Sequence, residues 1–203
     1  VWAARISYVG ESGWEIYLNN DSEDGLALYD SLLELGVVPV GIETYANSRR
    51  LEKSFRLQGA DLESEYNACE AAIQRPLVKT ADFHGKAAHL AHREEDPCAI
   101  LCTMTLDDLN VSGTPRYPVG ISPIIDPASG EVPIDAKGRR SYTTGMSYCP
   151  SIKKFVVMGY LPKDIAIPGK SLLLEYFNEN GDGVYPMTVQ ILTLIHISET
   201  TRP

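Results

Sequence analysis

The segment at residues 8–17, with the sequence YVGESGWEIY, constrains the fold of this chain more than any other. The residues that lead into Tyr8 alternate in the period-two manner of a β-strand with one buried face. Two glycines inside the segment mark a tight connection, because glycine is used where the backbone turns sharply. A strand-like composition resumes after them and puts Glu15 and Tyr17 on one face. The sequence therefore predicts a hairpin that gathers the carboxylate of Glu15 and the phenols of Tyr8 and Tyr17.

Length, charge and cysteine content limit the classes of protein that fit this sequence. The 203 residues are enough for one large domain or two modest ones, each with a hydrophobic core. A net charge of −9 argues against a nucleic-acid-binding surface, for which a basic balance is expected. No apolar run reaches the roughly 20 residues of a membrane span. The 4 cysteines form no Cys-x-x-Cys pair and indicate reduced thiols, so we expect a cytoplasmic protein. From the charge and the lack of an apolar run, we expect neither nucleic acid nor membrane as a partner.

The remainder of residues 1–95 favours helices. Capping residues and acidic charge at 20–23 precede apolar residues at helical spacing, and Gly36 is typical of a helix end. Short helices are also predicted at 66–73 and 86–95. A strand–helix–strand order of this kind is typical of an α+β layer, in which one helix packs on a sheet.

A charged break at residues 94–97 separates two regions of different composition. Beyond it, short strand-like runs alternate with turns that contain glycine and proline, which is typical of an all-β barrel or sandwich. We therefore expect a domain boundary at this break, with an α+β domain at residues 1–95 and a β domain at residues 96–191.

Three histidines that are close in sequence, His84, His89 and His92, make a metal site worth weighing. Of these, His89 and His92 can share a helical face, whereas no cysteine and no supporting ligand pattern accompanies them. We therefore interpret the histidines as ordinary surface residues and expect no metal.

Residues 8–16 resemble the signature Tyr-Thr-Gly-Glu-x-Gly-Phe/Trp-Glu-Ile of the aminomethyltransferase family, with Val9 in place of the usual Thr. That family includes the T-protein of glycine cleavage and the C-terminal halves of dimethylglycine and sarcosine dehydrogenases. Further stretches resemble the family in the same order: ANSRRLEKSFRLQGADL at 46–62, VKTADFHGK at 78–86, and the strand-rich region that ends near residue 190. In the first of these, Ser54 stands where the family has Gly, and Gln58 stands where it has Trp.

The resemblance implies a fold and a binding site. The fold is α+β: a partial ferredoxin-like folate-binding domain at residues 1–95, followed by a C-terminal antiparallel β-barrel at 96–191. Tyr8 and Glu15 match positions that line the family's tetrahydrofolate pocket, and Tyr17 is expected beside them as a third folate-binding residue. A reduced pterin presents a ring N–H beside an exocyclic amino group, and one carboxylate accepts both in parallel. The alternative is a hairpin whose polar side chains are simply solvated.

The second stretch also carries basic residues. If residues 46–62 form one helix, then Arg49, Lys53 and Arg56 fall on a single face. Such a patch would attract the glutamate tail of a folate, and the alternative is a solvated basic face.

The resemblance implies that the chain is a fragment of a tetrahydrofolate-dependent aminomethyltransferase or demethylase. We expect the C-terminal part of an FAD-linked dehydrogenase of N-methylated amines, of the dimethylglycine or sarcosine type, which passes a one-carbon unit to tetrahydrofolate. The family's assisting Asp and any FAD domain are expected upstream of Val1, so no catalytic residue is assigned within the chain. The alternatives are a T-protein of glycine cleavage and a non-catalytic folate-binding module.

The last residues, 192–203, resemble the translation of a sequencing-library adapter. We expect them not to belong to the fold, and we expect the chain to be a gene fragment truncated at both ends. The alternative is a genuine C-terminal strand.

Overall fold

The computed structural model describes residues 1–19, 22–74, 77–106, 121–177 and 184–192, and arranges their strands in two antiparallel sheets. The smaller sheet pairs β1 (Trp2–Ala4) with β2 (Glu15–Tyr17). The larger sheet has six strands in the order β4-β7-β8-β3-β6-β5. These strands are β3 (Ala99–Leu106), β4 (Ile124–Ile125), β5 (Thr143–Cys149), β6 (Lys154–Pro162), β7 (Ser171–Phe177) and β8 (Val184–Leu192).

The helices precede the larger sheet in sequence. They are α1 (Ser22–Glu34), a π-helix (Glu43–Arg49) that continues directly into the one-turn α2 (Arg50–Glu52), and α3 (Lys86–Glu94). The predicted stop of α1 is confirmed, since Gly36 adopts a φ of +84°, which L side chains rarely reach. Within the described residues, no helix has the length and apolar character needed to cross a membrane.

The prediction of a helix at residues 66–73 was wrong. Residues 66–73 form a series of turns, in which the Asn67 side-chain oxygen accepts hydrogen bonds from the backbone N–H groups of Cys69 and Glu70 (2.9 and 3.0 Å). Such bonds offer the backbone a local alternative to a helix. Residues 46–62 are not one helix either, because the backbone leaves the helical path after Glu52.

The turn after α2 is kept although Ser54 replaces the family's Gly. Ser54 has a φ of +55°, in the left-handed region that favours glycine. Its hydroxyl accepts a hydrogen bond of 2.9 Å from the Thr103 hydroxyl on β3. Surrounding structure of this kind is what holds a residue in a sparsely populated conformation.

The hydrophobic core lies on both faces of the larger sheet, because β3 and β6 are buried along nearly their whole length. On one face, residues of β3 and β6 such as Met104 and Leu161 pack with Leu172 and Leu174 of β7. The other face is covered by residues from the first half of the chain. Leu51, Tyr66 and Ala71 pack there against Leu101, Val156, Met158 and Tyr160. This core therefore includes residues from both sides of the break at 94–97, and the domain boundary stays a prediction.

The α+β character with antiparallel sheets is confirmed, and the closed barrel stays a prediction. In the described residues, β4 and β5 are the edges of the larger sheet. Next to these edges, one isolated bridge joins Pro123 to Tyr142. The first 95 residues contribute a two-stranded sheet and helices, which is less than a ferredoxin-like layer. Of the segment 192–203, Leu192 ends β8 opposite Thr103, and residues 193–203 lie outside the described residues.

A buried ion pair attaches residues 46–61 to the larger sheet. The guanidinium of Arg50 bonds the carboxylate of Asp61, and both side chains are almost fully buried. Arg50 also donates to the carbonyl oxygens of Ala46 (2.8 Å) and Phe55 (3.0 Å). The second oxygen of Asp61 accepts a hydrogen bond from the Thr144 hydroxyl on β5. Most of the donors and acceptors of the pair therefore have hydrogen-bond partners. A buried ion pair needs such partners to offset the cost of removing its charges from water.

A second buried network attaches the 66–73 turns to the connection between β4 and β5. Arg139 donates to both oxygens of Glu70 (2.5 and 3.2 Å) and to Asp135 (2.7 Å). Burial by itself would raise the pKa of each of these carboxyl groups. The hydrogen bonds from Arg139 and from backbone N–H groups outweigh burial and hold the pKa of Glu70 and of Asp135 below its usual value.

We predict that Gly145→Ala destabilises the fold by about 1–3 kcal/mol, the usual range for overpacking a buried site. A Cβ at Gly145 would lie 2.7 Å from a guanidinium nitrogen of Arg50, so the ion pair would have to shift. Gly41→Ala is the matched control, because a Cβ there meets nothing within 4 Å. It should change the free energy of unfolding by less than about 0.5 kcal/mol. Urea denaturation measures both, and equal losses would contradict the role of Gly145.

The Glu70 network predicts an acid-sensitive fold. Because the folded-state pKa of Glu70 lies below the unfolded value of 4.5, its contribution is complete above that pH and is lost as the pH falls through the folded pKa. Glu70→Gln should therefore flatten the decline of unfolding free energy on acidification below about pH 4.5. The exposed Glu34→Gln should leave the decline unchanged. Urea denaturation across this pH range measures the slopes, and the same slope in Glu70→Gln and the wild-type protein would refute the prediction.

Candidate functional site

The candidate site is built on the hairpin between β1 and β2. At its tip, the Ser7 hydroxyl accepts hydrogen bonds from the backbone N–H groups of Val9 and Glu11, both at 3.3 Å. Gly10 has a φ of +71°, and a Cβ there would lie 2.6 Å from the aliphatic chain of Lys53. The predicted turn at Gly10 is therefore confirmed, and the backbone there packs closely against the Lys53 side chain.

Glu15 and Tyr17 lie on the same face of β2, as the strand pattern predicts. The Tyr17 hydroxyl donates a hydrogen bond to the Glu15 carboxylate. This hydrogen bond is the main reason that the pKa of Tyr17 is raised. On β1, Trp2 is paired with Tyr17, and the ring centroids of the two are 4.8 Å apart. The carboxylate of Glu15 is therefore held by a phenol on the surface of the hairpin.

Tyr8 belongs to a different set of contacts. Its hydroxyl donates a hydrogen bond of 2.7 Å to the backbone carbonyl of Arg56. Its ring lies 6.2 Å from that of Phe55, nearly parallel to it, and 5.9 Å from that of Tyr45. Burial is the main reason that the pKa of Tyr8 is raised. Tyr8 thus fixes the hairpin loop to the chain that follows α2.

Tyr45 belongs to the Tyr8 set of contacts, with its ring centroid 5.9 Å from that of Tyr8. Tyr45 and Phe55 are each 37% exposed, and both leave ring surface open to a ligand. In the described residues, no hydrogen bond joins Tyr8 to Glu15 or Tyr17. Glu15 and Tyr17 therefore form one set of contacts on the hairpin, and Tyr8 forms a second set with Tyr45 and Phe55.

Tyr45 and Phe55 are the site residues that the sequence did not reveal. Phe55 lies in the family-like stretch at 46–62, and Tyr45 comes directly before it. Their closeness to that stretch was the one signal in the sequence that pointed to them. Both residues are far from Tyr8 in the sequence; Arg56, next to Phe55, is 48 residues away from it. A local sequence pattern therefore does not reveal the contact.

The predicted basic face is not formed. Arg49 bonds Glu52 (3.1 Å) and the hydroxyl of Ser151 (2.7 Å). Arg56 donates to the backbone carbonyls of Ser54 and Ala71, and burial lowers its pKa. Arg49 is thus engaged by side chains and Arg56 by backbone carbonyls, so the two arginines do not form a continuous basic helical face, whether solvated or for a folate tail.

The histidines give no metal site in the part of the chain that the structure describes. No group of three or more His, Cys, Asp or Glu side chains there has the arrangement that would hold a metal ion. His84 precedes α3, whereas His89 and His92 lie on it.

Comparison with known proteins gives the site a context. Residues 1–80 match the family described as the GCVT N-terminal domain. Dimethylglycine dehydrogenase (mitochondrial) of Rattus norvegicus is 33% identical over 211 residues, covering 100% of this chain and 22% of that protein. The human protein of the same name is 32% identical, with the same coverage. An aminomethyltransferase of Koribacter versatilis is 29% identical over 187 residues, covering 88% of this chain and 44% of that protein.

A solved structure agrees on the fold. The glycine cleavage system aminomethyltransferase T from Bartonella henselae superposes with a TM-score of 0.71, at 23% identity, over 95% of this chain and 48% of that one. The chain thus spans about a fifth of the dimethylglycine dehydrogenases and less than half of the aminomethyltransferases that it matches.

The contact of Tyr8 with Arg56 predicts a structural cost when it is lost. Tyr8→Phe removes a partly buried hydrogen bond and should lower the free energy of unfolding by about 0.5–1.5 kcal/mol. Tyr17→Phe removes an exposed hydrogen bond and should cost less than about 0.5 kcal/mol. Denaturation with urea measures the difference, and a larger loss for Tyr17→Phe would reverse the assignment of the two tyrosines.

Proposed function

We propose that this chain, whose residues 1–80 match the family described as the GCVT N-terminal domain, is the tetrahydrofolate-binding part of an enzyme that transfers a one-carbon unit. The observation that carries the proposal is the Glu15 carboxylate, bonded to Tyr17 on the exposed face of the hairpin that lies inside the matched residues. The aromatic residues around Tyr8, in the loop of the same hairpin, add ring surface.

The chemistry of these side chains fits a folate. A carboxylate has about four lone-pair sites, so Glu15 keeps acceptor capacity beyond the bond from Tyr17 and accepts the paired N–H groups of a pterin. The exposed rings of Tyr45 and Phe55 provide apolar, flat surface for the aromatic parts of the ligand. Tyr8, held by Arg56, keeps these rings in place. When bound, tetrahydrofolate supplies the nitrogen that accepts the one-carbon unit.

A finer assignment follows from the relatives. The relatives at 33% and 32% identity are named as dehydrogenases of dimethylglycine, an N-methylated amine, which favours an enzyme of that type over a glycine-cleavage T-protein. In this proposal, the 203 residues serve the folate side of the reaction and not an FAD-linked oxidation of the amine. The cytoplasmic location stays a prediction, and the two dehydrogenases are named as mitochondrial.

The proposal predicts that Glu15→Gln weakens tetrahydrofolate binding about ten- to a hundredfold. The change keeps the size of the side chain and removes the negative charge of the carboxylate. Hydrogen bonds to a charged group contribute roughly 1.5–3 kcal/mol. The chain has 2 tryptophans, Trp2 and Trp14, and both flank the hairpin, so their fluorescence reports binding there.

Glu11→Gln is the matched control, since Glu11 lies at the hairpin tip and is bonded there through its backbone N–H. It should leave the affinity for tetrahydrofolate unchanged. Equal affinity in the wild-type protein and Glu15→Gln would refute the role of Glu15. A wild-type chain that binds no tetrahydrofolate would refute the proposed function itself.

A further inference from the structure

A cavity of about 320 Å³ lies between the π-helix and strands β5 and β6. Its wall includes Glu43 and Thr44 from the π-helix, Met146, Ser147 and Tyr148 from β5, and Phe155 from β6. None of these residues belongs to the folate site proposed above. The volume is in the range of small-molecule sites, which combine mostly apolar walls with a few placed polar groups.

The one charged group in this wall is the carboxylate of Glu43. One of its oxygens accepts a hydrogen bond from the Ser147 hydroxyl (3.0 Å), and the other accepts from the side-chain amide of Asn47 (2.5 Å). Both partners are neutral, and Glu43 forms no ion pair with any described residue. The carboxylate is therefore fixed in position by two elements while its negative charge is not balanced.

Another part of the wall is aromatic and apolar. The rings of Tyr148 and Phe155 meet edge to face, with centroids 5.4 Å apart. Tyr148 is 44% exposed, and Met146 adds a polarizable thioether. The face of an aromatic ring carries negative charge density and attracts cations.

The ligand class follows from this combination. A small metal ion needs several oxygen ligands, whereas this wall presents rings, a thioether and one carboxylate. A methylated ammonium ion spreads its charge over its methyl groups, which pack on aromatic rings, and it gains from a nearby carboxylate. We infer that the cavity is a binding site for a small methylated ammonium ion, with Glu43 as its counter-charge and Tyr148 as its aromatic wall.

The inference goes beyond the folate proposal and does not depend on it. The π-helix serves both regions, because Glu43 faces the cavity and Tyr45 lies against Tyr8. Helices of this type are rare and are frequent at functional sites.

The test uses choline and its neutral carbon isostere, 3,3-dimethylbutan-1-ol, on the chain labelled at methionine methyl groups. Met146 lines the cavity, whereas Met104 and Met158 are fully buried in the core and serve as internal references. Choline should shift the Met146 methyl signal in NMR spectra to saturation at millimolar concentration, and the isostere should shift it much less. An unshifted Met146 signal overturns the inference, and so does an equal response to the isostere, which would indicate an apolar groove.

Two variants identify the groups responsible. Glu43→Gln should weaken choline binding about two- to fivefold, as expected for an exposed ion pair. Tyr148→Leu should weaken it by a similar factor, because an exposed cation–π contact contributes a comparable amount. Glu34→Gln, which removes a charge on α1, is the control and should bind as the wild-type protein does. Unchanged binding in either site variant overturns the inference. Unshifted Met104 and Met158 signals verify that the variants are folded, and no folate is present, so the folate proposal succeeds or fails separately.

Discussion

The ion pair between Arg50 and Asp61 is the interaction on which the rest of the structure depends. Removing two charges from water costs several kcal/mol per ion, and attraction offsets that cost when the remaining hydrogen-bonding groups are satisfied. Here the backbone N–H of Leu57 donates to Asp61 at 2.8 Å, and the Tyr160 hydroxyl donates to its backbone carbonyl at 2.7 Å. The requirement for space beside the guanidinium explains the glycine at 145 in β5.

The position of both candidate sites follows from this pair. The π-helix ends where Arg50 begins α2, so the fixed guanidinium also fixes Glu43 and Tyr45 one to two turns earlier. Two residues beyond Ser54, the carbonyl of Arg56 holds the hydroxyl of Tyr8 and with it the hairpin loop. The hairpin shares few contacts with the larger sheet, and it reaches the core through these residues.

The second family-like stretch, at 46–62, turns out to be mainly structural. Arg50, Leu51, Glu52 and Asp61 all match the family, and all are buried. Glu52 accepts hydrogen bonds from the backbone and hydroxyl of Ser151 (2.9 and 3.0 Å), which ties α2 to the turn between β5 and β6. The matching residues in this stretch therefore serve the core of this chain, whereas the hairpin motif carries the Glu15 carboxylate that we propose as the acceptor for a folate.

The sequence by itself determined what depends on neighbouring residues. The α1 helix and its end at Gly36, the glycine turn at Gly10, and the shared face of Glu15 and Tyr17 all follow from local spacing and backbone preference. The tertiary structure decided which distant groups meet. It placed Phe55 and Tyr45 on Tyr8, engaged Arg49 with Glu52 and Ser151, and engaged Arg56 with backbone carbonyls. These outcomes depend on burial and on partners that are distant in the chain, such as Tyr8 and Arg56 at a separation of 48 residues or Arg49 and Ser151 at 102, and a local pattern does not encode them.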